Sequence, residues 1–287
     1  MLHTINLQLL RRRGFTTQEV TTRWGTLHTI EGPGAGDGPP VVLVHGVSGR
    51  GSVFGPVALA LQGFTSRLLV PDLLGHGDSA VPDTGLTLEA IQESLDELLL
   101  ASAPEDAVLV GVSMGGMLVT RHASRYPDRV RGLVLANPGG ARVEQQDFEH
   151  SRALLTPRTH REARRLAQAG LASRSALLHH LAAMNLKRRL AVPHIRSFLE
   201  SISPEMSLSP DEVRSLPVPV RLLVGEEDGL LPTRSHDWYA EHLPPTSEVV
   251  RLPGVGHAPM VDAPNLFAEQ IADFVRDIAP GKRAVSA

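Results

Sequence analysis

The chain has 287 residues, of which 42% are hydrophobic and 21% are charged, a composition typical of a globular protein with one large domain or two small ones. Its net charge of −3 gives no overall attraction to nucleic acid. The absence of cysteine excludes disulfides, thiolate catalysis and cysteine-based zinc sites.

The N-terminal residues do not have the order of a secretory signal. An apolar stretch over residues 1–10 precedes the basic run 11–13, whereas a signal peptide has its charge first and its apolar run second. The apolar stretch is also too short to span a bilayer. We therefore expect a short amphipathic lead-in, no stable membrane insertion and, by default, a cytoplasmic location.

Strand-like and helix-like runs alternate through the first half of the chain. Short apolar runs bounded by Gly, Pro and Asp predict strands, and apolar residues three and four positions apart predict helices. The predicted strands are 19–22, 24–30, 41–44, 67–70, 107–112 and 130–136, and the predicted helices are 53–61, 88–100 and 114–126. Continuous apolar strands that alternate with helices predict a parallel sheet covered on both faces.

The alternation stops at residue 138 and resumes after residue 215. Between these positions the pattern predicts helices at 144–155, 159–169, 175–190 and 193–201. Beyond them it predicts strands at 220–224 and 248–252 and helices at 233–242 and 264–278. We therefore expect an α/β core made of residues 1–137 and 216–287, with a helical cap of residues 138–215 inserted into it.

The predicted cap differs from the predicted core in charge. It contains eleven arginines and one lysine against eight Asp or Glu residues, although the whole chain has a net charge of −3. A basic cap would steer anionic substrates toward the core. A solvated helical surface explains the same charges, and the sequence favours this second interpretation.

A nucleophile motif lies between the strand predicted at 107–112 and the helix that follows it. The residues there are Gly111-Val112-Ser113-Met114-Gly115, the Gly-x-Ser-x-Gly pattern of a strand that turns sharply into a helix with a serine at the apex. Such a turn strains the serine backbone, and glycines two residues before and after it remove side chains that would collide. Ser113 is therefore the candidate nucleophile.

A serine hydroxyl needs a base that removes its proton and an acid that orients the base. Chemistry in a doubly wound sheet gathers at the carboxyl ends of the strands. This placement selects His257 and Asp228, which follow the last two predicted strands, while Glu226 and Glu227 remain alternative acids. The resulting order along the chain, Ser113 before Asp228 before His257, is the order that this type of nucleophile turn requires.

The oxyanion formed in such a reaction needs two N–H donors. One is expected from Met114, directly after the nucleophile, and the other from Val47, in the loop after the strand predicted at 41–44. Gly46 lets this loop approach the serine closely. Loss of one such donor typically lowers the rate by about two to three orders of magnitude.

Five blocks of sequence together resemble the α/β-hydrolase superfamily, in particular its cap-bearing esterases, lipases and haloperoxidase-like enzymes. The blocks are His45-Gly46, Asp72 with Gly75 to Ser79, Gly111 to Gly116, Gly225 to Asp228, and Gly256 to Pro259. The resemblance implies the α/β-hydrolase fold: an eight-stranded, mostly parallel sheet flanked by helices, with a helical cap after the sixth strand. It also implies a Ser113, Asp228 and His257 triad. Val112 departs from the pattern, since many relatives carry histidine there, and this departure affects the pocket wall.

The substrate pocket is predicted less directly than the triad. Gly46, Phe54, Val112 and Met184 are candidate substrate-binding residues, and core packing explains the larger side chains equally well. The adjacent pair His179-His180 would point about 100° apart on a helix, and no carboxylate lies near it in the sequence. We therefore expect no metal site, and no cofactor.

The type of nucleophile and the loop at Val47 to Gly51 exclude or disfavour several reactions of this superfamily. Relatives that open epoxides or remove halide carry aspartate where this chain has Ser113, and ring-fission relatives usually carry Gly-Pro-Gly where it has Val47 to Gly51. We therefore expect a carboxylesterase-like serine hydrolase that cleaves a small-molecule ester or related acyl compound through an acyl-enzyme. A carbon–carbon hydrolase or lyase on the same triad, and a ligand-binding receptor with this fold, remain alternatives. The oligomeric state is left open.

Overall fold

Eight strands form one sheet in the computed structural model, which describes residues 2–278. In chain order they are β1 (Thr16–Thr22), β2 (Gly25–Pro33), β3 (Val41–Val44), β4 (Arg67–Pro71), β5 (Ala107–Val112), β6 (Val130–Ala136), β7 (Val220–Gly225) and β8 (Glu248–Leu252). Their order across the sheet is β1-β2-β4-β3-β5-β6-β7-β8. β2 is antiparallel to β1 and β4, and the other neighbouring pairs are parallel. The expectation of an eight-stranded, mostly parallel sheet is confirmed.

The strand order reverses beside β3, at the centre of the sheet. The chain passes from β3 to β4 on one side and then crosses to β5 on the other. β3 and β5 run parallel, and Val44 lies opposite Gly111 at the end of their pairing. Open α/β sheets bind ligands outside the carboxyl ends of the strands at such a reversal. The loops that follow β3 and β5 therefore open into the same crevice.

The central strands are buried because helices cover both faces of the sheet. The helices are α1 (Leu2–Arg12), α2 (Gly55–Leu61), α3 (Leu88–Ser102), α4 (Met114–Arg125), α5 (Gln145–Leu155), α6 (His160–Gly170), α7 (Ala176–Leu190), α8 (Pro193–Ser201), α9 (Pro210–Arg214), α10 (Thr233–His242), α11 (Pro259–Asp262) and α12 (Pro264–Asp277). Alternate residues of β3 belong to different apolar clusters, which contain α1, α2 and α12 on one face and α3, α4 and α10 on the other. This two-sided burial explains why β3, β5 and β7 are continuous apolar runs.

Five helices, α5 to α9, lie between β6 and β7. Side-chain caps begin three of them: the Thr159 hydroxyl accepts the Glu162 N–H at the start of α6, the Ser175 hydroxyl accepts the Leu178 N–H at the start of α7, and the Ser209 hydroxyl accepts the Glu212 N–H at the start of α9. The division of the chain into a core and a cap, with bounds at residues 138 and 215, stays a prediction. Within residues 2–278, no helix combines the length and the apolar character that crossing a membrane requires.

A few elements differ from the sequence-based prediction. The structure adds α9, α11 and a 3-10 turn at Pro204–Met206, all of them too short to show a helical period in the sequence. The helix predicted at 53–61 begins as a 3-10 turn, Gly51–Phe54, before α2. β1 begins at Thr16 rather than at residue 19. The prediction began too late because the first residues of this strand are exposed and polar and show no apolar alternation.

Candidate active site

Ser113 lies at the turn between β5 and α4 in a strained backbone conformation. Its φ is 55° and its ψ is −124°, a region that residues with a side chain rarely adopt. A Cβ on Gly115 would lie 2.3 Å from the Val44 carbonyl oxygen, and a Cβ on Gly111 would lie 2.5 Å from the Gly115 carbonyl oxygen. The turn therefore requires both glycines of the motif.

Backbone hydrogen bonds hold the strained turn in place. The Ser113 N–H donates to the Ala136 carbonyl at 3.1 Å, and the Ser113 carbonyl accepts the N–H groups of Gly116 and Gly139, each at 2.9 Å. The partners come from the end of β6, from the loop after β6 and from α4. The serine is thereby fixed at the carboxyl end of β5, inside the crevice.

His257 and Asp228 form a hydrogen-bonded pair at the ends of β8 and β7. His257 Nδ1 lies 2.8 Å from Asp228 Oδ2, and the Asp228 side chain is fully buried. Because a carboxylate can only accept, Nδ1 carries the proton and Nε2 of the neutral ring remains a proton acceptor. Asp228 Oδ1 accepts the N–H groups of Leu230 at 2.9 Å and Leu231 at 3.1 Å.

Asp228 stays ionised although it is buried. Burial by itself would raise its pKa, but the charge of His257, the nearby His236 ring and the hydrogen bonds from His257 and a backbone N–H outweigh burial, so the pKa lies below its ordinary value. His236 Nε2 lies 3.4 Å from Asp228 Oδ2. The alternative acids Glu226 and Glu227 are exposed. A buried, negative Asp228 can therefore orient the His257 ring and stabilise its protonated form.

Two side chains hold Gly256, the residue that precedes His257. Asn137, directly after β6, donates from Nδ2 to the Gly256 carbonyl at 2.9 Å and accepts the Gly225 N–H at 2.8 Å. Asp262 Oδ2 accepts the Gly256 N–H at 2.9 Å. Neither Asn137 nor Asp262 was predicted from the sequence. The one signal for Asn137 was its position after a buried strand, next to Pro138.

The C-terminal end of α6 contacts the same two loops. The Gly229 N–H donates to the Ala169 carbonyl at 2.8 Å, and the Ala172 N–H donates to Asp262 Oδ2 at 3.1 Å. Gly229 directly follows Asp228 in the chain. One short segment between β6 and β7 is therefore tied to both the Asp228 loop and the His257 loop.

Gly46 brings the loop after β3 against Ser113. A Cβ at this position would lie 2.8 Å from Ser113 Cβ and 3.3 Å from Ser113 Oγ. His45 braces the loop, since its Nδ1 donates to the Gly46 carbonyl at 2.7 Å and its Nε2 accepts the Leu73 N–H at 3.1 Å. Burial lowers the pKa of His45. The ring is therefore neutral and supports the loop.

The two expected oxyanion donors border a cavity next to Ser113. Val47, Ser113 and Met114 all line this cavity. Within residues 2–278, the N–H groups of Val47 and Met114 donate no hydrogen bond to another protein group. Met114 is the first residue of α4, where N–H groups have no acceptor inside the helix and the helix dipole favours negative charge. Both amides are available to a substrate oxygen.

The cavity has a volume of about 150 Å³ and is mainly apolar. Residues of α5 and α8 supply one side, and the loops after β3 and β6 with the start of α4 supply another. Its apolar lining includes Leu88, Met117, Phe148, Leu155, Phe198, Leu199 and Ile202. Among the lining residues that the structure describes, Arg152 is the one with a charged side chain.

Three residues expected in the pocket lie elsewhere. Phe54 is fully buried in the apolar cluster that contains α2 and α12, and Val112 is buried in the same cluster. Met184, on α7, is 56% exposed. None of the three lines the cavity, and Gly46 contributes through its contact with Ser113 rather than as a lining residue. An apolar side chain suits a core, a pocket or an interface equally well, so residue type alone does not decide among these places, and substrate binding by these residues stays a prediction.

A histidine and two aspartates lie close together beside the loop after β4. His28, Asp72 and Asp78 have ligand atoms within 4.8 Å of one another. Asp72 Oδ2 accepts the Asp78 N–H at 2.8 Å, and Asp78 pairs with Arg50 at 2.7 Å. Burial would raise the pKa of Asp72, but the adjacent His28 and the N–H groups of Gly51 and Asp78 hold it at about 2. The two carboxylates already have protein partners, His28 Nδ1 lies 3.3 Å from Asp72 Oδ2, and the cluster braces the loop.

The chain matches a known family over most of its length. A family model described as the alpha/beta hydrolase family matches residues 41–270. Among curated proteins, a pimeloyl-[acyl-carrier protein] methyl ester esterase of Chromobacterium violaceum is 30% identical over 263 residues, which cover 85% of this chain and 94% of that protein.

Solved structures share the fold. Carboxylesterase CesB of Bacillus subtilis superposes with a TM-score of 0.74 at 20% identity and covers 96% of this chain and 95% of its own. A meta-cleavage product hydrolase of Pseudomonas fluorescens IP01 superposes with a TM-score of 0.77 at 20% identity and covers 91% of this chain and 97% of its own. At these identities the likeness shows the fold alone.

Proposed function

The chain belongs to the alpha/beta hydrolase family, and from this premise we propose that it is a serine hydrolase that cleaves carboxylic esters. One observation carries the proposal: a hydrogen bond of 2.8 Å joins His257 to a fully buried Asp228, at the edge of the sheet where Ser113 occupies a strained strand-to-helix turn. The Chromobacterium violaceum relative is an ester-cleaving enzyme by name, which supports an ester as the target.

Acylation begins at the Ser113 hydroxyl. As its Oγ attacks the ester carbonyl carbon, His257 Nε2 takes the hydroxyl proton, and the negative Asp228 stabilises the imidazolium that forms. The carbonyl oxygen becomes an oxyanion, for which the N–H groups of Val47 and Met114 are the proposed donors. The bond to the alcohol then breaks, and the alcohol leaves with the proton held by His257.

Deacylation repeats these steps with water as the nucleophile. His257 removes a proton from water, whose oxygen attacks the acyl-enzyme carbonyl, and the same two N–H groups hold the second oxyanion. The bond to Ser113 Oγ then breaks, the proton returns to the serine, and the carboxylic acid leaves. This route uses side chains, backbone amides and water, so it requires no metal or cofactor.

The cavity supports a small or medium apolar group on the substrate. Aliphatic and aromatic side chains form most of its wall, and burial of an apolar chain against them contributes about 25 cal/mol per Å². Arg152 stands among these side chains and is the proposed contact for a polar or anionic end of the substrate. Thioesters, lactones and amides share the same acyl-enzyme route.

A panel of p-nitrophenyl esters of increasing acyl length tests the proposal. The protein is expected to release p-nitrophenol, with the fastest turnover for the acyl group that best fills the cavity. Ser113→Ala removes the nucleophile and is expected to lower kcat by about four orders of magnitude or more. Ser203→Ala is the matched control, because Ser203 lines the same cavity and takes no part in the proposed steps.

Three outcomes would contradict the proposal. Unchanged turnover in Ser113→Ala would show that Ser113 is not the nucleophile. Cleavage of ketones or hydroxynitriles without ester turnover would assign the same side chains to a carbon–carbon hydrolase or lyase. Slow single-turnover labelling by a ligand, together with ligand-dependent binding of a protein partner, would assign the fold to a receptor.

A further inference from the structure

Helix α7 exposes four large apolar side chains to solvent. Leu177 is 67% exposed, Leu178 52%, Leu181 50% and Met184 56%. Leu177, Leu181 and Met184 follow one another at spacings of four and three residues, so they form a stripe on one side of the helix, and Leu178 widens it. We call these four side chains the α7 apolar face. Contiguous exposed apolar surface of this kind marks an interaction site.

The opposite side of α7 supplies the packing that holds the helix to the protein. His179, Ala183 and Leu190 are buried there, and Ala183 forms a small cluster with Ala163 and Ala167 of α6. No residue of α7 lines the cavity next to Ser113. Neither the core nor the candidate active site therefore explains the α7 apolar face.

Cations surround this face. Arg174 is exposed just before α7, and Lys187 and Arg188 are exposed in its last turn. The sequence of α7 contains no Asp or Glu. None of these three cations forms a salt bridge within residues 2–278. The apolar stripe therefore lies between basic ends with no acidic side chain on the helix to neutralise them.

The neighbouring helix adds positive charge. α6 carries three exposed arginines, Arg161, Arg164 and Arg165. Its one acid, Glu162, is turned toward the start of its own helix, where its carboxylate accepts the Arg158 N–H at 2.7 Å and the Thr159 N–H at 3.1 Å. The pair α6–α7 is thus a basic surface with an apolar stripe.

We propose that the α7 apolar face docks on an anionic lipid surface. A helix that presents Leu and Met side chains with Lys and Arg at its margins can lie in the plane of a membrane, with its apolar side chains at the headgroup boundary and its cations at anionic headgroups. The contact is peripheral and needs no membrane-spanning segment. It stands apart from the proposed esterase function, since it uses none of the residues assigned to catalysis.

The charges favour a lipid surface over a second copy of the chain. In a symmetric pair the same patch meets itself. An antiparallel pairing of two α7 helices would set Arg174 beside Lys187 and Arg188 of the other copy, and a parallel pairing would set each cation beside its own equivalent. Both arrangements bring like charges together, whereas anionic headgroups neutralise them.

Vesicle sedimentation with the full-length protein tests this docking surface. Vesicles of phosphatidylcholine mixed with phosphatidylglycerol are compared with vesicles of phosphatidylcholine alone, at low and at high salt. We expect the protein to sediment with the anionic vesicles, to stay largely in solution with the neutral ones, and to be released from the anionic vesicles by salt, which screens exposed charges.

Variants separate the apolar and the electrostatic contributions. The double variant Leu177→Asn/Leu181→Asn is expected to weaken vesicle binding at least about tenfold, and Lys187→Gln about fivefold. Val249→Asn is the matched control, because Val249 is 42% exposed on β8 and lies outside the α7 apolar face. Its vesicle binding is expected to equal that of the unaltered protein.

The folded state of each variant is checked independently. Thermal unfolding serves as the main readout, and turnover of a soluble p-nitrophenyl ester, expected to be unchanged, serves as a second. Failure of the esterase proposal would remove turnover from all of these proteins alike and leave the vesicle result intact.

Equal binding to neutral and anionic vesicles, or undiminished binding of Leu177→Asn/Leu181→Asn, would overturn the proposal. Light scattering tests the competing occupant. A dimer that this double variant converts to a monomer, in a protein that ignores vesicles, would assign the α7 apolar face to a second copy of the chain and overturn lipid docking.

Discussion

At the scale of single residues, the turn at Ser113 combines strain with tight packing. A residue in such a backbone conformation typically costs about 1–3 kcal/mol, which the hydrogen bonds from β6 and α4 must offset. Gly46, Gly111 and Gly115 each let backbone approach where a Cβ would lie within 3 Å of another atom. The position of the Ser113 hydroxyl thus depends on three residues that have no side chain.

Gly115→Ala is expected to destabilise the protein and to lower ester turnover. Its Cβ would lie 2.3 Å from the Val44 carbonyl oxygen, so β3 or α4 has to move. Gly63→Ala is the control, because a Cβ there meets nothing within 4 Å. Thermal unfolding should show a Tm several degrees lower for Gly115→Ala and nearly unchanged for Gly63→Ala. Equal Tm values would show that the turn accommodates a side chain.

Asp72 is expected to make stability depend on pH in the acidic range. Burial opposes its ionisation, but the adjacent His28 and backbone N–H groups bring its pKa from 3.8 to about 2. The native state then binds this proton more weakly than the unfolded state. The stabilisation is therefore present above about pH 4 and is lost as the pH falls toward 2.

Urea unfolding between pH 5 and pH 2 measures this effect. The free energy of unfolding of the unaltered protein should fall by roughly 2 kcal/mol more than that of Asp72→Asn over this range. The comparison is made between the slopes with pH, because the substitution also changes hydrogen bonds and lowers stability at every pH. Parallel slopes for the two proteins would refute the assignment to Asp72.

At the scale of secondary-structure elements, buried strands were the most predictable part of the fold. The bounds predicted for β3, β5, β6 and β8 agree with the structure. Strands buried on both faces are continuous apolar runs that end at Gly, Pro or a polar residue, and this contrast is visible in the sequence. α9 and α11 lacked such a signal, because four or five residues are too few to show a helical period.

α7 shows why the exposed apolar face was not predicted. The sequence located the helix at 175–190, within one residue of its start. Its two opposite sides are both apolar, one against α6 and one toward solvent, so the sequence has no polar side from which to tell them apart. The side of α7 that is buried is the one that packs against α6, and the sequence of α7 alone does not predict where α6 lies.

The candidate site also contains residues that the sequence predicts and residues that it does not. His257 and Asp228 were predicted because strand ends of a parallel sheet meet at one edge, and the structure joins them by a hydrogen bond of 2.8 Å. Asn137 and Asp262 were missed because their partners are backbone groups of other segments. Backbone N–H and carbonyl groups exist at every residue, so no sequence pattern marks such contacts.

Asn137→Ala is expected to loosen the ends of β6 and β7 and the loop before His257. It leaves the Gly225 N–H and the Gly256 carbonyl without the side chain that pairs them, which costs about 1–3 kcal/mol for each buried group left unpaired. Chemical unfolding should show the lost stability. Because His257 follows Gly256, kcat on a soluble ester should fall more than KM changes.

Asn185→Ala serves as the comparison for Asn137→Ala. Asn185 is an exposed asparagine of α7. Its substitution is expected to change the free energy of unfolding by no more than about 0.5 kcal/mol and to leave kcat unchanged. A loss of stability in Asn137→Ala without any change in kcat would show that Asn137 supports the fold and does not position His257.

At the scale of the whole molecule, charge is unevenly distributed. The stretch 138–215 carries eleven arginines and one lysine against eight Asp or Glu residues, whereas the complete chain has a net charge of −3. The rest of the chain is therefore acidic, and the stretch 138–215 as a whole is basic. Arg152 brings part of this positive charge to the cavity wall.

This uneven charge is expected to raise kcat/KM for esters with an anionic acyl group. A p-nitrophenyl ester whose acyl chain ends in a carboxylate should have a higher kcat/KM than a neutral ester of equal length at low salt, and the advantage should shrink as salt screens the field. Arg152→Gln should reduce the advantage and leave the neutral ester almost unaffected. If the ratio of kcat/KM between the anionic and the neutral ester does not change with salt, electrostatic steering is ruled out.

The contact of α6 with the Asp228 and His257 loops has a consequence for hydrogen exchange. The Gly229 amide is held by Ala169, and the Ala172 amide is held by Asp262, so both exchange with solvent when this end of α6 lifts away. If both amides exchange at the same rate, a single local opening of this segment exposes them, and the rate gives the free energy of that opening. A bound substrate analogue that slows both amides would show that occupancy of the cavity stabilises the closed segment.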